Sequence, residues 1–383
     1  MARFSIPKYV FVGNDALSEA METIKSFGEK ALIVTGPHVS KSPMMQKLCR
    51  VLKDNKIEFE TFDEVNSEPD DLMVEAGAGI FKKMQADFII AIGGGSPIDT
   101  AKAIALSVRY KRPMAYFLGK EIDKQLPKIV AIPTTAGTGS EATEFAVITD
   151  TKTEVKMLLS GKSLLPSVAI LDATNTLDMP RSVTAMTGLD ALTHAIEAYT
   201  SKKAFALTDV YAISAVKRIM KYLLKAYENG YDEEAREQMM LAAFEAGVCI
   251  NNSSVTLVHG MSRPIGALFH VPHGMSNAML LSVCLKFAKD GAIERFARLL
   301  GECDIARATN SDDEAADMFI DKVGMLITNL GIPTLKEYGV DKEEFESKIE
   351  KMANDAIASG SPANTRKMVT AFDCIGLYKK LEV

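Results

Sequence analysis

Five histidines are spread over the 383 residues, at His38, His194, His259, His270 and His273. Four of them fall in the second half of the chain. Asp190-Ala191-Leu192-Thr193-His194 lies in a stretch of helical periodicity, and the i, i+4 spacing puts a carboxylate and an imidazole on one helix face. His259 and His273 flank Arg263-Pro264-Ile265-Gly266, which reads as a break between helices, so both rings could converge on that face. Three imidazoles and one carboxylate suit Fe(II) or Zn(II), with room for a substrate oxygen as a further ligand. Any one of these histidines alone reads as a hydrogen-bonded core or surface residue. The four together point to a metal.

Two glycine-containing turns offer a second kind of chemistry. Gly93-Gly94-Gly95-Ser96-Pro97-Ile98-Asp99-Thr100-Ala101-Lys102 follows a strand pattern and opens a helix pattern, with Ser96 suited to the N-cap and Pro97 to the first turn. Three glycines let the backbone approach a ligand, and the free amides at a helix start favour phosphate. The run matches neither G-x-G-x-x-G nor the Walker pattern, and a plain strand-to-helix turn would read the same way. Pro133-Thr134-Thr135-Ala136-Gly137-Thr138-Gly139-Ser140-Glu141 also follows a strand, and it does not complete a G-x-S-x-G elbow. Two phosphate-suited turns at one edge of a parallel sheet favour a dinucleotide.

Those features need elements to position them. Apolar runs at Lys30–Thr35, Ile57–Phe62, Asp87–Ile92, Ile129–Ile132 and Val168–Leu171 read as strands. Helical patterns at 44–55 and 70–85 lie between the first of them, which predicts a parallel α/β sheet. Beyond Pro180 the strand signals stop. Helical periodicity covers 183–200, 208–228, 233–249, 274–289, 294–303, 311–330 and 342–358, with Gly331-Ile332-Pro333 as a helix stop. The expected organisation is therefore an α/β dinucleotide-binding domain over 1–181 and an all-α metal-binding catalytic domain over 182–383. A chain of this length exceeds what one core usually serves.

Composition narrows the function classes. Hydrophobic residues make up 47%, charged residues 25%, and the net charge is −6. Lys and Arg are scattered, which argues against a nucleic-acid footprint. No apolar stretch is long enough to span a bilayer, and the N-terminus has no signal-peptide pattern. Cys49, Cys249, Cys284, Cys303 and Cys374 are far apart and odd in number, which favours a reducing cytoplasm over disulfides.

Taken together, 93–102, 133–141, Gly188-Leu189-Asp190-Ala191-Leu192-Thr193-His194-Ala195-Ile196-Glu197 and His259 through Pro272-His273-Gly274 resemble the iron-containing (group III) alcohol dehydrogenase family over nearly the whole chain. The resemblance implies a dehydroquinate synthase-like architecture: an N-terminal dinucleotide-binding domain, an all-helical C-terminal domain and a cleft between them. It implies metal ligands at Asp190, His194, His259 and His273, iron first and zinc as the alternative. It implies cofactor contacts at Gly94, Gly95, Thr134, Thr135 and Lys156, to which the turns add Ser96, Asp99 and Thr138. It places Phe145 in the substrate pocket, with Ile250 and Val255 preceding the third ligand on a helix as an apolar wall. The implied reaction is hydride transfer between NAD(P)(H) and a small alcohol or aldehyde.

Two positions depart from the family. Arg263 stands where lactaldehyde reductases have a histidine, so a proton relay there does not carry over; His270 is the candidate substitute. Arg263 could instead favour an aldehyde with an acidic tail, or simply form a structural ion pair. Gly36 stands where NAD-preferring relatives have Asp, and Ser40 and Lys41 just beyond it could bind a 2′-phosphate, with His38 a weaker candidate. NADP(H) is therefore expected over NAD(H), with use of both as the bland alternative. The alternating segment Arg3–Val12 reads as an edge strand, which together with the resemblance predicts a homodimer or higher homo-oligomer. Two rivals remain. One is a metal- and NAD-dependent sugar-phosphate cyclase of the dehydroquinate synthase type, which would need more cations than Arg263 for a substrate phosphate. The other is an inactive helical scaffold, which would have no use for the ligand set or the turns.

Overall fold

The computed structural model describes residues 3–120, 122, 124–306 and 309–383. It divides into two compact units: Ser5–Asp178, and Met179–Val383 joined by the N-terminal residues up to Phe4.

The first unit is built on six parallel strands: β1 (Tyr9–Val12), β2 (Lys30–Val34), β3 (Glu58–Phe62), β4 (Phe88–Gly93), β5 (Lys128–Pro133) and, after an antiparallel hairpin of β6 (Phe145–Asp150) and β7 (Val155–Ser160), β8 (Val168–Leu171). The sheet order is β1-β8-β5-β4-β2-β3. Helices α1 (Ala16–Glu19), α2 (Met21–Lys25), α3 (Pro43–Asp54), α4 (Asp71–Met84) and α5 (Gly95–Tyr110) supply the connections. The strand alternation explains why the sheet is covered on both faces. Leu32, Val34, Ile89, Ala91, Ile129 and Ala131 pack into one buried cluster with α4 and α5 residues. Ala31, Ile33, Ile90, Ile92, Val130 and Ile132 pack into the other with residues of α1, α2 and α3. A strand apolar on both sides must be buried on both sides, which parallel connections achieve.

Two helix starts show how the boundaries are set. Ser42 caps α3, its Oγ accepting from Met45 N, with Pro43 in the first turn. Asp70 caps α4 by accepting from Met73 N at 2.7 Å. Each satisfies an amide that the helix itself leaves open. The N-terminal segment is strand only over Tyr9–Val12, paired in parallel with β8, and not over the whole of 3–12. Its partner β8 spans only four residues, so the ladder has nothing more to pair with.

The second unit is helical: α6 (Arg181–Thr200), α7 (Ala206–Glu228), α8 (Glu233–Asn252), α9 (Leu257–Phe269), α10 (His273–Ala288), α11 (Ile293–Glu302), α12 (Asp312–Asn329), α13 (Leu335–Tyr338), α14 (Lys342–Ala358) and α15 (Ala371–Tyr378). One sequence expectation fails here. Arg263–Gly266 is not a break; it lies inside α9, with Pro264 in the helix interior. An interior proline removes one backbone bond and costs about 3 kcal/mol. Burial of Leu257, Val258, Met261 and Ile265 on the same helix offsets it, so tertiary packing overrides propensity. The break falls instead at 270–272, where His270 takes a left-handed conformation as the C-cap of α9. Among the described residues no single helix is long and apolar enough to cross a membrane.

Candidate metal centre and dinucleotide-binding turns

Three helices bring the metal candidates together. Asp190 and His194 lie one turn apart on α6, His259 lies in the first turn of α9, and His273 opens α10. Nε2 of His194, His259 and His273 each lies 3.7 Å from Asp190 Oδ1. One donor atom from each residue falls within 4.8 Å of all the others. Asp190, His194 and His259 are buried, while the His273 side chain is 43% exposed, so the group opens on one side.

The surrounding groups decide what these donors carry. Glu197 Oε2 lies 2.6 Å from His259 Nδ1. Its other oxygen accepts from Thr256 Oγ1 at 2.8 Å and Val258 N at 2.6 Å. A carboxylate on Nδ1 makes that nitrogen the protonated one and leaves Nε2 free as a ligand. Asn277 Nδ2 donates to Asp190 Oδ1 at 2.8 Å and lies 3.2 Å from Nε2 of both His259 and His273, so its second hydrogen faces the two ring nitrogens. Asn277 Oδ1 is buried without a hydrogen-bond partner among the described residues.

Burial opposes ionisation of Asp190, but the neighbouring imidazoles outweigh it and hold the carboxyl well below the usual carboxylate range. Glu197 is lowered in the same way, with His259 overcoming the effect of burial. Burial, with His259, His194 and Arg263 nearby, lowers His273 to about 3 despite Asp190. At His259 burial favours the neutral ring, but Glu197 and Asp190 outweigh it and raise the imidazole above its ordinary value. One carboxylate and three imidazole nitrogens are a donor set that a borderline divalent cation takes. The residues present therefore fit iron or zinc.

Sequence reasoning named the four ligand candidates and missed the two residues that orient them. Glu197 is seven residues after Asp190 and three after His194, hence on the same helix face; Asn277 is four after His273. That spacing was the available signal. Arg263 follows His259 by one turn, is exposed, and donates from Nη1 to Ser361 Oγ at 3.0 Å. His270 is exposed and is not brought into the group of four. Ile250 is buried in α8, but Val255 is not helical: it lies in the connection between α8 and α9, because α8 ends at Asn252.

In the first unit the two turns are neighbours. β4 and β5 are paired through Gly93 and Pro133, and Thr134 N donates to Gly93 O at 2.9 Å. The chain runs outward from β2 to β3 and then returns to β4 on the other side of β2, so the strand order reverses between β2 and β4. The ends of β2 and β4 therefore flank a switch point, where α/β sheets bind ligands. Gly93 has φ 153°, and a Cβ there would sit 2.6 Å from Pro97 Cγ. A Cβ on Gly94 would lie 3.4 Å from the Thr135 side chain, and one on Gly95 3.0 Å from Thr138. The turns are thus packed glycine against threonine, with Thr135 and Thr138 partly exposed.

Several details depart from or refine the sequence reading. The N-cap of α5 is Gly94, not Ser96, because extended Gly94 already starts the helix and Ser96 falls in its first turn. Asp99 has both oxygens engaged within the protein, accepting from Ser140 Oγ and, at 2.9 Å, from Val147 N. Lys156 on β7 pairs with Glu68 at 2.6 Å, and Phe145 opens β6 half-buried. Gly36 has a steric reason to be glycine: a Cβ would meet the Val65 carbonyl oxygen at 2.7 Å. Just beyond it, Ser40 Oγ donates to Pro37 O at 3.1 Å, while Lys41 and His38 are exposed.

The profile of iron-containing alcohol dehydrogenases matches residues 7–173, and that of the C-terminal domain of the same family matches 184–381. The chain belongs to the iron-containing alcohol dehydrogenase family. It is 37% identical to an NADPH-dependent butanol dehydrogenase of Clostridium saccharobutylicum, over 98% of each chain. It is 36% identical to an NAD-dependent methanol dehydrogenase of Bacillus methanolicus, over 94% of this chain and 96% of the relative. A crystal structure of 1,3-propanediol oxidoreductase superposes with a TM-score of 0.96 at 34% identity, covering 99% of both chains. This iron-containing alcohol dehydrogenase is an NAD(P)-dependent oxidoreductase acting on CH–OH donors. Nothing in these likenesses favours a sugar-phosphate cyclase.

Proposed function

We propose that the chain interconverts small aldehydes and alcohols with NADP(H), using one divalent ion held by Asp190, His194, His259 and His273. The observation that carries this reading is the convergence of three imidazole Nε2 atoms on one carboxylate oxygen, each at 3.7 Å. When bound, such an ion polarises an alcohol or carbonyl oxygen, and the nicotinamide accepts or supplies the hydride. The chain's own part is positional. Glu197 holds His259 in the tautomer that frees Nε2, and Asn277 holds Asp190. The glycine turns offer backbone amides and threonine hydroxyls to the pyrophosphate.

Three finer points belong to the same reading. Iron is the ion expected from the family, with zinc as the alternative. The preference for NADP(H) is supported by exposed Lys41 and part-exposed Ser40 beside the end of β2, where no carboxylate stands to repel a 2′-phosphate. The two relatives above divide between NADPH and NAD. An aldehyde with an acidic tail is supported by the exposed Arg263 one turn after His259, although its bond to Ser361 also suits a structural role. A cytoplasmic location and a homodimer complete the proposal; all five cysteines are free thiols.

One panel tests the whole reading: neutral and acidic aldehydes with NADH and NADPH, run anaerobically with added Fe(II) or Zn(II). Wild type should require metal and show the higher kcat/KM with NADPH. His194→Ala should lose turnover while remaining folded by circular dichroism, and full activity in that variant or in stripped protein would sink the metal assignment. Arg263→Ala should depress acidic aldehydes more than neutral ones; an equal effect on both would make Arg263 structural. Gly36→Asp is a poor probe of cofactor choice, because of the Val65 carbonyl. Lys41→Glu should move the preference toward NADH, and an unmoved ratio would remove Lys41 from the site.

A further inference from the structure

Helix α5 carries a buried cation that the reaction chemistry does not use. Lys102 is fully buried. Its ammonium has three hydrogens to donate, and three acceptors surround it: Ser140 Oγ at 3.1 Å, Thr143 Oγ1 at 3.0 Å and Phe145 O at 2.7 Å. Asp99, one turn earlier, lies 3.7 Å from the ammonium. Its Oδ1 accepts from the Ser140 hydroxyl and its Oδ2 from Val147 N at 2.9 Å. Thr143 Oγ1 in turn donates to Ser140 O at 3.2 Å. Every outside partner of this pair lies between Ser140 and Val147, immediately after the Thr134–Gly139 turn.

Burying an ammonium is costly, and a charge pair in the interior stabilises less than apolar packing of the same shape would. Burial lowers Lys102 to about 8, against the pull of Asp99 and Glu141. The arrangement makes sense as a fixing device. On its upstream side the turn is held by the β4–β5 pairing that ends at Thr134. Within it, Gly137 and Gly139 leave the backbone free, and Gly139 is left-handed at φ 62°. The Lys102 and Asp99 bonds tie its downstream side to α5, the helix that begins at the other turn. Thr138 must meanwhile stay against Gly95.

We propose that Lys102, with Asp99, is a positioning residue: a clamp beneath the dinucleotide site that holds Ser140–Val147 to α5, sets the threonine turn against the glycine turn, and so determines cofactor affinity. This rests on the reading of those turns as the dinucleotide site. Because the clamp joins the two turns, it acts on the cofactor and not on the metal.

The test is binding of NADH and NADPH to the full chain, followed by the fluorescence of the reduced nicotinamide, for wild type, Lys102→Met, Thr143→Val and Thr143→Ser. Lys102→Met and Thr143→Val should weaken binding by about tenfold or more, since small misplacements of a binding group have large effects. They should raise the KM for cofactor more than they lower kcat, with the bound metal unchanged. Thr143→Ser keeps the hydroxyl and should bind as wild type does. If Lys102→Met does not fold, the two Thr143 variants decide the matter. Wild-type cofactor affinity in folded Thr143→Val, whatever its thermal stability, overturns the clamp. Failure of wild type to bind either nucleotide overturns the dinucleotide reading instead, so the two failures are distinguishable.

Discussion

In the proposed metal site three histidines present the same nitrogen to one point, and which nitrogen a histidine leaves free is decided by what holds the other. At His259 that holder is Glu197, whose Oε2 lies 2.6 Å from Nδ1. Glu197→Gln is therefore a sharper probe of the centre than removal of a ligand. The amide keeps the volume, and its oxygen can still accept from Thr256 and Val258. Its NH2 group, however, would then face Nδ1 and favour the tautomer with the proton on Nε2, toward the ligand group. Metal affinity, measured by competition with a chelator, should fall by about 10–100-fold. Unchanged affinity would mean that Glu197 only fills space. The residue scale is also where the convergence of the four ligand candidates was most legible in the sequence and the residues that support them least. Asp190 and His194 stand out by type and spacing. Glu197 and Asn277 do not, because a carboxylate or an amide on a helix has many ordinary uses, and only a contact across helices gives these two a role.

At the scale of elements, the strands and most helices were legible because their apolar periods are long and uninterrupted. Helix α9 was not. Pro264 and Gly266 are strong local stop signals, and what overrides them is the burial of Leu257, Met261 and Ile265 by other helices, which no local window contains. The N-cap of α5 was misplaced by one such local rule, since Ser96 looks like a cap and Gly94 does the job. The clamp between α5 and β6 was likewise hidden: Asp99 and Lys102 read as parts of a turn motif until their partners at 140–147 were in place. That buried network has a pH signature. Burial raises Glu141 to about 7 from 4.5, against its own backbone hydrogen bond and Lys102. A carboxyl raised on folding contributes most below its unfolded value, and that contribution is lost as pH rises through 4.5 toward 7. Above that window the folded chain carries the cost of a buried carboxylate. Glu141→Gln should consequently gain stability relative to wild type between pH 5 and pH 8, by at least about 1 kcal/mol. Denaturant midpoints at the two pH values measure it, and a difference that does not grow with pH would place Glu141 outside the titrating network.

At the scale of the molecule, the open sheet has two edges, and they differ in chemistry. Strand β3 at one edge carries Glu58 and Glu60 exposed, with Lys30 of β2 paired to Glu58 at 3.6 Å. Charged side chains are a common way to keep an edge from pairing. Strand β1 at the other edge reads Tyr9-Val10-Phe11-Val12, without a charge, and Tyr9 and Val12 are 37% and 49% exposed. An apolar, uncharged edge invites a partner strand, and a second copy of the same chain can supply one across a two-fold axis. The ladder to β8 indicates which groups are free for it. Tyr9 N donates to Ser167 O and Gly13 N to Leu171 O, so the amides of odd-numbered residues face β8. By the two-residue period of a strand, the amides of Val10 and Val12 face the open edge. A proline at position 10 would remove one outward donor and leave the bonds to β8 in place. Light scattering at micromolar protein should give at least a dimer for wild type and a smaller mass for Val10→Pro, with the circular dichroism of the folded chain retained. A wild-type monomer would refute the dimer itself; a Val10→Pro variant that is folded and still dimeric would move the interface away from β1.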